Sequence, residues 1–327
     1  MNGKPHKMTT TPRVRVSHGG VKTGVLIVVV LLLLAGGTVY WAWNKHTGTR
    51  HALFGRIAFP EQVLLEDFQR PLDRDLTEQL VAFERTGASQ FLDSKILKPY
   101  FDDLNTREMT VKGVELRSDQ FPDRPELYRI VEDCAKILGI PKPRVYIADQ
   151  PGPNVYTANL TDPIIVIHSS LLRSFKDPTE LRFIIGHEMG HIRCRHVKWQ
   201  TTLRSIVSTI RGTKLLPDEA ALLPFLPLFK WSREAEMSAD NAGLICCQDL
   251  KAAERALVRL TLNLDEQTVG KINVDTFLQQ RQTEDLSKFS EVILYWQQLL
   301  QDHPFVADRI LELRKYEKTR QYQHLWE

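Results

Sequence analysis

The first 60 positions contain no acidic residue: eight Lys or Arg stand there, and the first carboxylate is Glu61. Taking those eight from the 43 Lys and Arg of the whole chain leaves 35 against 40 acids after residue 60, a net of −5. A body with that balance lacks the basic surface that nucleic-acid binding needs. Cysteine is scarce as well. Cys134, Cys194, Cys246 and Cys247 are the four in 327 residues, and their spacing fits no zinc ribbon. A disulfide-dense scaffold is thereby excluded, and the four are expected as small buried apolar residues, with a Cys134–Cys194 bridge conceivable if the body is exported. No internal repeat or low-complexity tract appears, which excludes a solenoid. With 43% hydrophobic and 25% charged residues the composition is globular, and the length allows two domains at most.

A second long apolar run is also lacking. The first is Gly24 to Trp43, twenty residues without a charge, ending in Tyr40, Trp41 and Trp43. At about 1.5 Å per residue a helix of that length spans roughly 30 Å, the thickness of a bilayer core. Its closing aromatics suit a membrane–water interface. Five basic residues precede the run (Lys4, Lys7, Arg13, Arg15, Lys22) and three follow closely (Lys45, Arg50, Arg56), which favours a cytoplasmic N-terminus. The reading is a single-pass membrane protein, 1–23 a basic cytoplasmic arm and 24–43 the span. A bacterial inner membrane, with the remainder outside the cytoplasm, is the expected setting. A cleaved signal peptide with Val25 to Leu34 as its apolar core is the alternative. The apolar stretch Ala220 to Trp231 is too short to cross a bilayer and holds Pro224, Pro227 and Lys230, so it is read as a core segment or a lid.

Residues 44–108 read as a helical stalk, with Leu76, Leu80 and Phe83 on one side of a helix. From residue 109 the pattern changes. Thr110 to Leu116 alternates as a short strand, a helix runs from about Arg124 to Leu138 with Gly139 closing it, and Val145–Ala148 and Ile164–His168 are β-rich. Beyond Ser169 the signal is helical to the end. Strands first and helices after make an α+β fold, mainly helical, with a small sheet. The body is bounded at 109–320, with 321–327 as a tail.

The chemistry sits on one helix. Asp177, Pro178 and Glu180 form a helix start, and the chain continues to His187-Glu-Met-Gly-His191. Four residues advance a helix by about 400°, so His187 and His191 share a face and can grip one ion. Glu188, beside the first ligand, can reach an ion-bound water without ligating. A third ligand is needed. The metzincin places, three and six residues after His191, hold Cys194 and Val197, so that class is excluded. Glu236 offers a His₂Glu site, with Asp240 one turn on to orient a ligand imidazole. Glu234 competes, but points about 160° away from Asp240 and reads as a solvated acid. His196, about 140° round the helix from His191, is read as exposed or as an outer support.

His187-Glu-Met-Gly-His191 and Ser232-Arg-x-x-Glu236-x-x-Ala-Asp240 together resemble the gluzincin peptidase family of the heat-shock protease HtpX and the type I CAAX prenyl protease. The resemblance runs from about Phe121 to Tyr316 and includes Asn154-Val-Tyr-Thr-Ala158 and His303-Pro-x-x-x-x-Arg309. It implies a zincin-like metallopeptidase domain binding one Zn²⁺ per chain, with Glu236 the third ligand and Asp240 its support. It further implies that His303 and Arg309 help hold the oxyanion, and that Asn154, Val155, Tyr156 and Ala158 belong to the edge pairing with substrate. The chain departs from the integral members in having no membrane span between His191 and Glu236, which argues against prenyl-protein processing and for a single-anchor relative.

The expected function is thus a membrane-anchored zinc endopeptidase acting on proteins or peptides, with Glu188 as general base. A zinc-containing chaperone-like or assembly factor without turnover is the alternative, against which the intact Glu188 counts. Residues 197–231 are a candidate autoinhibitory lid. The substrate and the oligomeric state are not legible.

Overall fold

The structure, a computed structural model, describes residues 57–85, 108–109, 111–117, 121, 125–150, 152–204, 226–262, 264, 266–283 and 306–327. The expected membrane span at 24–43 lies outside these. Among the described residues no helix is long and apolar enough to cross a membrane.

Helix α1 (Leu65–Phe68) and α2 (Pro71–Glu84) precede β1 (Gly113–Glu115) and α3 (Pro125–Ile137). Then come β2 (Arg144–Ala148), β3 (Val155–Ala158), β4 (Ile164–His168), α4 (Ser169–Ser174) and α5 (Pro178–Arg193). Residues 197–204 are helical. Next follow α6 (Leu226–Cys247), α7 (Leu250–Leu262), α8 (Glu266–Val269), α9 (Val274–Thr283), α10 (Val306–Glu317) and α11 (Arg320–Gln323). The chain is therefore mainly helical α+β with a small mixed sheet, as its pattern predicts.

The sheet runs in the order β1-β2-β4-β3, with β2 and β4 parallel and the outer pairs antiparallel. All five residues of β4 are buried, because each face of the sheet is covered. Ile165 and Ile167 turn to the main core beneath α3 and α5, while Ile164 and Val166 turn to a small cluster with Met109 and Tyr146. The strand expected over 110–116 is shorter than its alternation suggests, since 111–112 are helical and β1 spans three residues. α3 buries Leu127, Ile130, Val131, Cys134 and Ile137 on one face, and Gly139 leaves it at φ 61° as the left-handed residue. Each such fully buried aliphatic side chain contributes about 1.5 to 3 kcal/mol.

The expected stalk differs most. Its residues 57–85 pack into the same unit as the rest: Phe68 is buried, Asn241 Nδ2 donates to its carbonyl at 3.0 Å, and Tyr316 Oη donates to that of Asp67 at 2.8 Å. The face α2 buries is not Leu76-Leu80-Phe83 but Asp73-Thr77, and Phe83 is exposed. A polar stripe is buried because partners await it in the body. Residues 226–231 likewise begin α6, with Phe229 and Trp231 in the core rather than in a lid. Residues 205–225 lie outside the described part. The supposed tail folds back as well, and Leu325 is buried. All four cysteines are free and buried, without the conceivable Cys134–Cys194 bridge.

Candidate metal centre

α5 starts where the sequence places it. The Asp177 side chain accepts from Thr179 N–H at 2.8 Å, and Pro178 follows at the first turn. Glu180 does not close a capping box. It is buried and bonds Arg255 Nε at 2.9 Å and the fully buried Arg259, fixing α5 to α7. Burial raises the Glu180 carboxyl, and the two arginines work against that shift.

α5 and α6 cross almost in backbone contact. A Cβ on Gly186 would lie 2.6 Å from Cys246 Cβ, one on Gly190 2.8 Å from Ala242 Cβ, and one on Gly243 2.8 Å from the Phe183 carbonyl oxygen. These glycines cost intrinsic helicity, and close packing is what they supply in return. The crossing carries Glu236 and Asp240 of α6 onto the histidine face of α5.

There the Nε2 atoms of His187 and His191 stand 3.1 Å apart, and Glu236 oxygens lie 3.6 Å from the first and 3.4 Å from the second. A tetrahedral zinc with Zn–N near 2.0 to 2.1 Å sets its ligands roughly 3.3 to 3.4 Å apart, so the spacing fits. The donor chemistry fits too. His187 Nδ1 faces Asp240 Oδ1 at 3.0 Å, which places a proton on Nδ1; burial opposes the charged ring but Asp240 outweighs it and raises its pKa, and in the neutral ring Nε2 carries the lone pair. Burial pushes His191 down to about 3, leaving it neutral. Two imidazole lone pairs and a carboxylate converging in a buried place make a site for a cation. Gln200 Nε2 donates to Glu236 Oε1 at 3.2 Å and steadies the third member.

Arg309, on α10, grips Asp240 from behind with two bonds, Nε to Oδ2 at 2.7 Å and Nη2 to Oδ1 at 2.6 Å. Burial alone would raise the Asp240 carboxyl, but Arg309 and His187 hold it below its ordinary value. This is a different place from the oxyanion role that the resemblance implies for Arg309: two of its nitrogens are spent on Asp240, and the side chain is buried. His303 lies outside the described residues.

Behind His191 stands His196. α5 ends at Arg193, and Arg195 takes a left-handed φ of 63°, so the chain turns back and His196 lies under His191, not 140° round a continuing helix. The Nδ1 atoms of the two rings are 3.0 Å apart, and His196 Nε2 is 3.0 Å from each oxygen of Asp73. Glu234 is paired with Arg70 rather than solvated.

Glu188 faces a cavity of about 220 Å³ lined also by Asn154, Tyr156, His191, Gln200 and Arg204. Thr157 Oγ1 donates to Glu188 Oε2 at 2.6 Å. Val155, Tyr156 and Ala158 lie on β3, at the margin of the sheet, and Asn154 leads into it. The bond from His168 N–H to the Asn154 carbonyl sets the alternation, so 154, 156 and 158 turn their backbone groups to β4, whereas 155 and 157 turn theirs to the outer edge. Thr157 enters the sequence reading only inside the Asn154–Ala158 motif, without a role of its own, and Asp73 does not enter it at all. The first could have been sought as the alternate of Tyr156 on a strand, whereas the second carries no local signal.

The sequence profile of peptidase family M48 matches residues 123–317. A plastoglobule-localized metallopeptidase 48, chloroplastic, of Arabidopsis thaliana is 27% identical over 265 residues, which is 80% of this chain and 75% of that protein. A protease HtpX homolog of Streptococcus gordonii is 36% identical over 104 residues, 31% of this chain and 34% of its own length, so the match spans about a third of that relative. Among solved structures, S. mikatae Ste24p is similar with a TM-score of 0.39 at 16% identity, covering 91% of this chain and 66% of that one. The chain belongs to peptidase family M48 and is, by that membership, a metallopeptidase.

Proposed function

We propose that the protein is a membrane-anchored zinc endopeptidase in which His187, His191 and Glu236 hold the metal and Glu188 is the general base. The observation that carries this is the convergence of two imidazole lone pairs and a carboxylate beside a cavity that Glu188 lines. Bound zinc supplies Lewis-acid polarisation of a carbonyl and lowers the pKa of a water towards about 7.

The chain's own residues do the rest. Thr157 fixes one oxygen of Glu188, so the carboxylate is oriented before substrate arrives. Glu188 takes a proton from the water that attacks the peptide carbonyl and passes it to the leaving amine. Val155 and Thr157 offer backbone groups at the outer edge of β3, where an extended substrate can add as a strand, with Asn154, Tyr156 and Ala158 shaping that edge. Arg309 acts through Asp240, holding His187 in its ligating tautomer. His303 is proposed as the oxyanion donor on the resemblance alone. Anchoring through 24–43, with the metallopeptidase unit outside the cytoplasm of a bacterial inner membrane, rests on the charge pattern about that run.

The test pairs zinc content with casein cleavage, comparing the detergent-purified full chain with Glu188→Gln. One zinc in both and cleavage by the unaltered chain alone is expected. A folded chain without zinc, or equal cleavage by Glu188→Gln, overturns the proposal.

A further inference from the structure

α2 lies before the part of the chain that matches the family, yet it reaches the metal centre. Its Asp73 is fully buried, as are His196 and Trp231. Thr77 Oγ1 donates to Asp73 Oδ1 at 2.9 Å and accepts from Trp231 Nε1 at 2.9 Å, so the carboxylate is itself held in place. The Asp73 oxygens then fix the protons on two histidines in turn. His196 Nε2 faces a carboxylate at 3.0 Å and so carries hydrogen. In the neutral ring its Nδ1 is then bare, and the only bond two Nδ1 atoms 3.0 Å apart can make is donation from His191 Nδ1–H. His191 Nε2 is thereby left as a lone pair, aimed at His187 Nε2 and Glu236.

We propose that Asp73 and His196 are positioning residues for the metal centre: the pair, supplied in part by a helix outside the family's matched region, orients His191 and fixes its ligating tautomer. The backbone supports the assignment. A non-glycine residue at a left-handed φ is strained and persists where its surroundings hold it, and Arg195 takes that conformation one residue before His196. The centre thus has two matching supports, Arg309 through Asp240 on His187 and Thr77 through Asp73 and His196 on His191. The inference rests on the proposal that His187, His191 and Glu236 hold zinc.

The experiment measures zinc affinity by chelator competition on the full chain, together with the visible spectrum of the cobalt(II)-loaded protein and the melting temperature of the metal-free one. Asp73→Ala and His196→Phe are expected to weaken zinc binding by about 10- to 100-fold and to shift the cobalt spectrum. Asp73→Asn, which keeps an oxygen acceptor and nearly the same shape, should restore most of the affinity and answers for folding should Asp73→Ala fail to fold. Glu84→Gln loosens the same helix at Arg195 and Trp199 without touching the pair, and should bind zinc as the unaltered chain does. Unchanged affinity and spectrum in folded Asp73→Ala and His196→Phe would overturn the inference alone. Lack of zinc in the unaltered chain would overturn the metal centre itself. A second metal per chain, lost in Asp73→Ala, would show that Asp73, Cys194 and His196 are ligands in their own right and would overturn the positioning role.

Discussion

Gly190 and Ala242 touch so closely that one methyl group more would bring two β-carbons to 2.8 Å. The contact joins the helix carrying His187 and His191 to the one carrying Glu236 and Asp240, so the separation of the helices sets the size of the proposed metal centre. Gly190→Ala should therefore move α6 outward by a few tenths of an ångström at least, since the alternative partner, the Ala239 backbone, also cannot yield. Zinc binding is expected to fall while the helical circular dichroism signal persists, and normal zinc affinity in the variant would contradict this account of the crossing.

Arg309→Lys keeps the charge and discards the fork that bonds both Asp240 oxygens. If Arg309 positions His187 through Asp240, zinc affinity should drop by about 10- to 100-fold. Unchanged affinity with a lowered kcat would place Arg309 on the substrate instead. Chelator competition beside steady-state kinetics tells the two apart.

Thr157→Val retains the shape of the side chain and removes the bond to Glu188. A hydrogen bond to a charged group contributes about 1.5 to 3 kcal/mol, and each 1.4 kcal/mol corresponds to roughly tenfold in rate. The expected outcome is a kcat lower by about tenfold or more at unchanged zinc content. Serine at the same position should recover much of the loss.

Stability should respond to acid at Glu312. Burial opposes its charge, yet Lys315 and Arg70 outweigh that and hold its carboxyl below the ordinary value. A depressed folded pKa adds stability that is present above the unfolded value and is lost as pH falls through the folded one. Glu312→Gln should thus lower stability at pH 7, by at most about 1 kcal/mol for a partly exposed pair, and the difference should vanish at a pH well below the ordinary glutamate value of about 4.3. Urea unfolding of the metal-free chain at both pH values checks the sign.

What the sequence discloses follows the range of the interaction. His187 and His191 share a face because helical spacing alone puts them there, and Glu236 with Asp240 repeats the argument on a second helix. β4 is legible from its apolar run. Arg309 is visible as a residue, but its partner is not, because 69 positions separate it from Asp240. His196 escapes a helical projection because the helix ends before it, at a left-handed arginine where glycine would be the ordinary signal. Asp73 escapes altogether: an acid on an amphipathic helix reads as solvated, and only the docked body shows that the polar stripe is the buried one. The strand expected over 110–116 is cut to β1 for the reverse reason, the alternation at its start belonging to a short helical stretch.

The four buried thiols bear on where such a chain can work. Burial pushes Cys194 and Cys246 well above the ordinary thiol range and Cys247 up to about 12. Thiolate is the form that oxidants and disulfides attack, and at neutral pH a group near 12 is ionised in roughly one molecule in 10⁵. Cys194, Cys246 and Cys247 thus offer little thiolate to an oxidant. On this count the buried thiols by themselves fix no redox compartment for the fold.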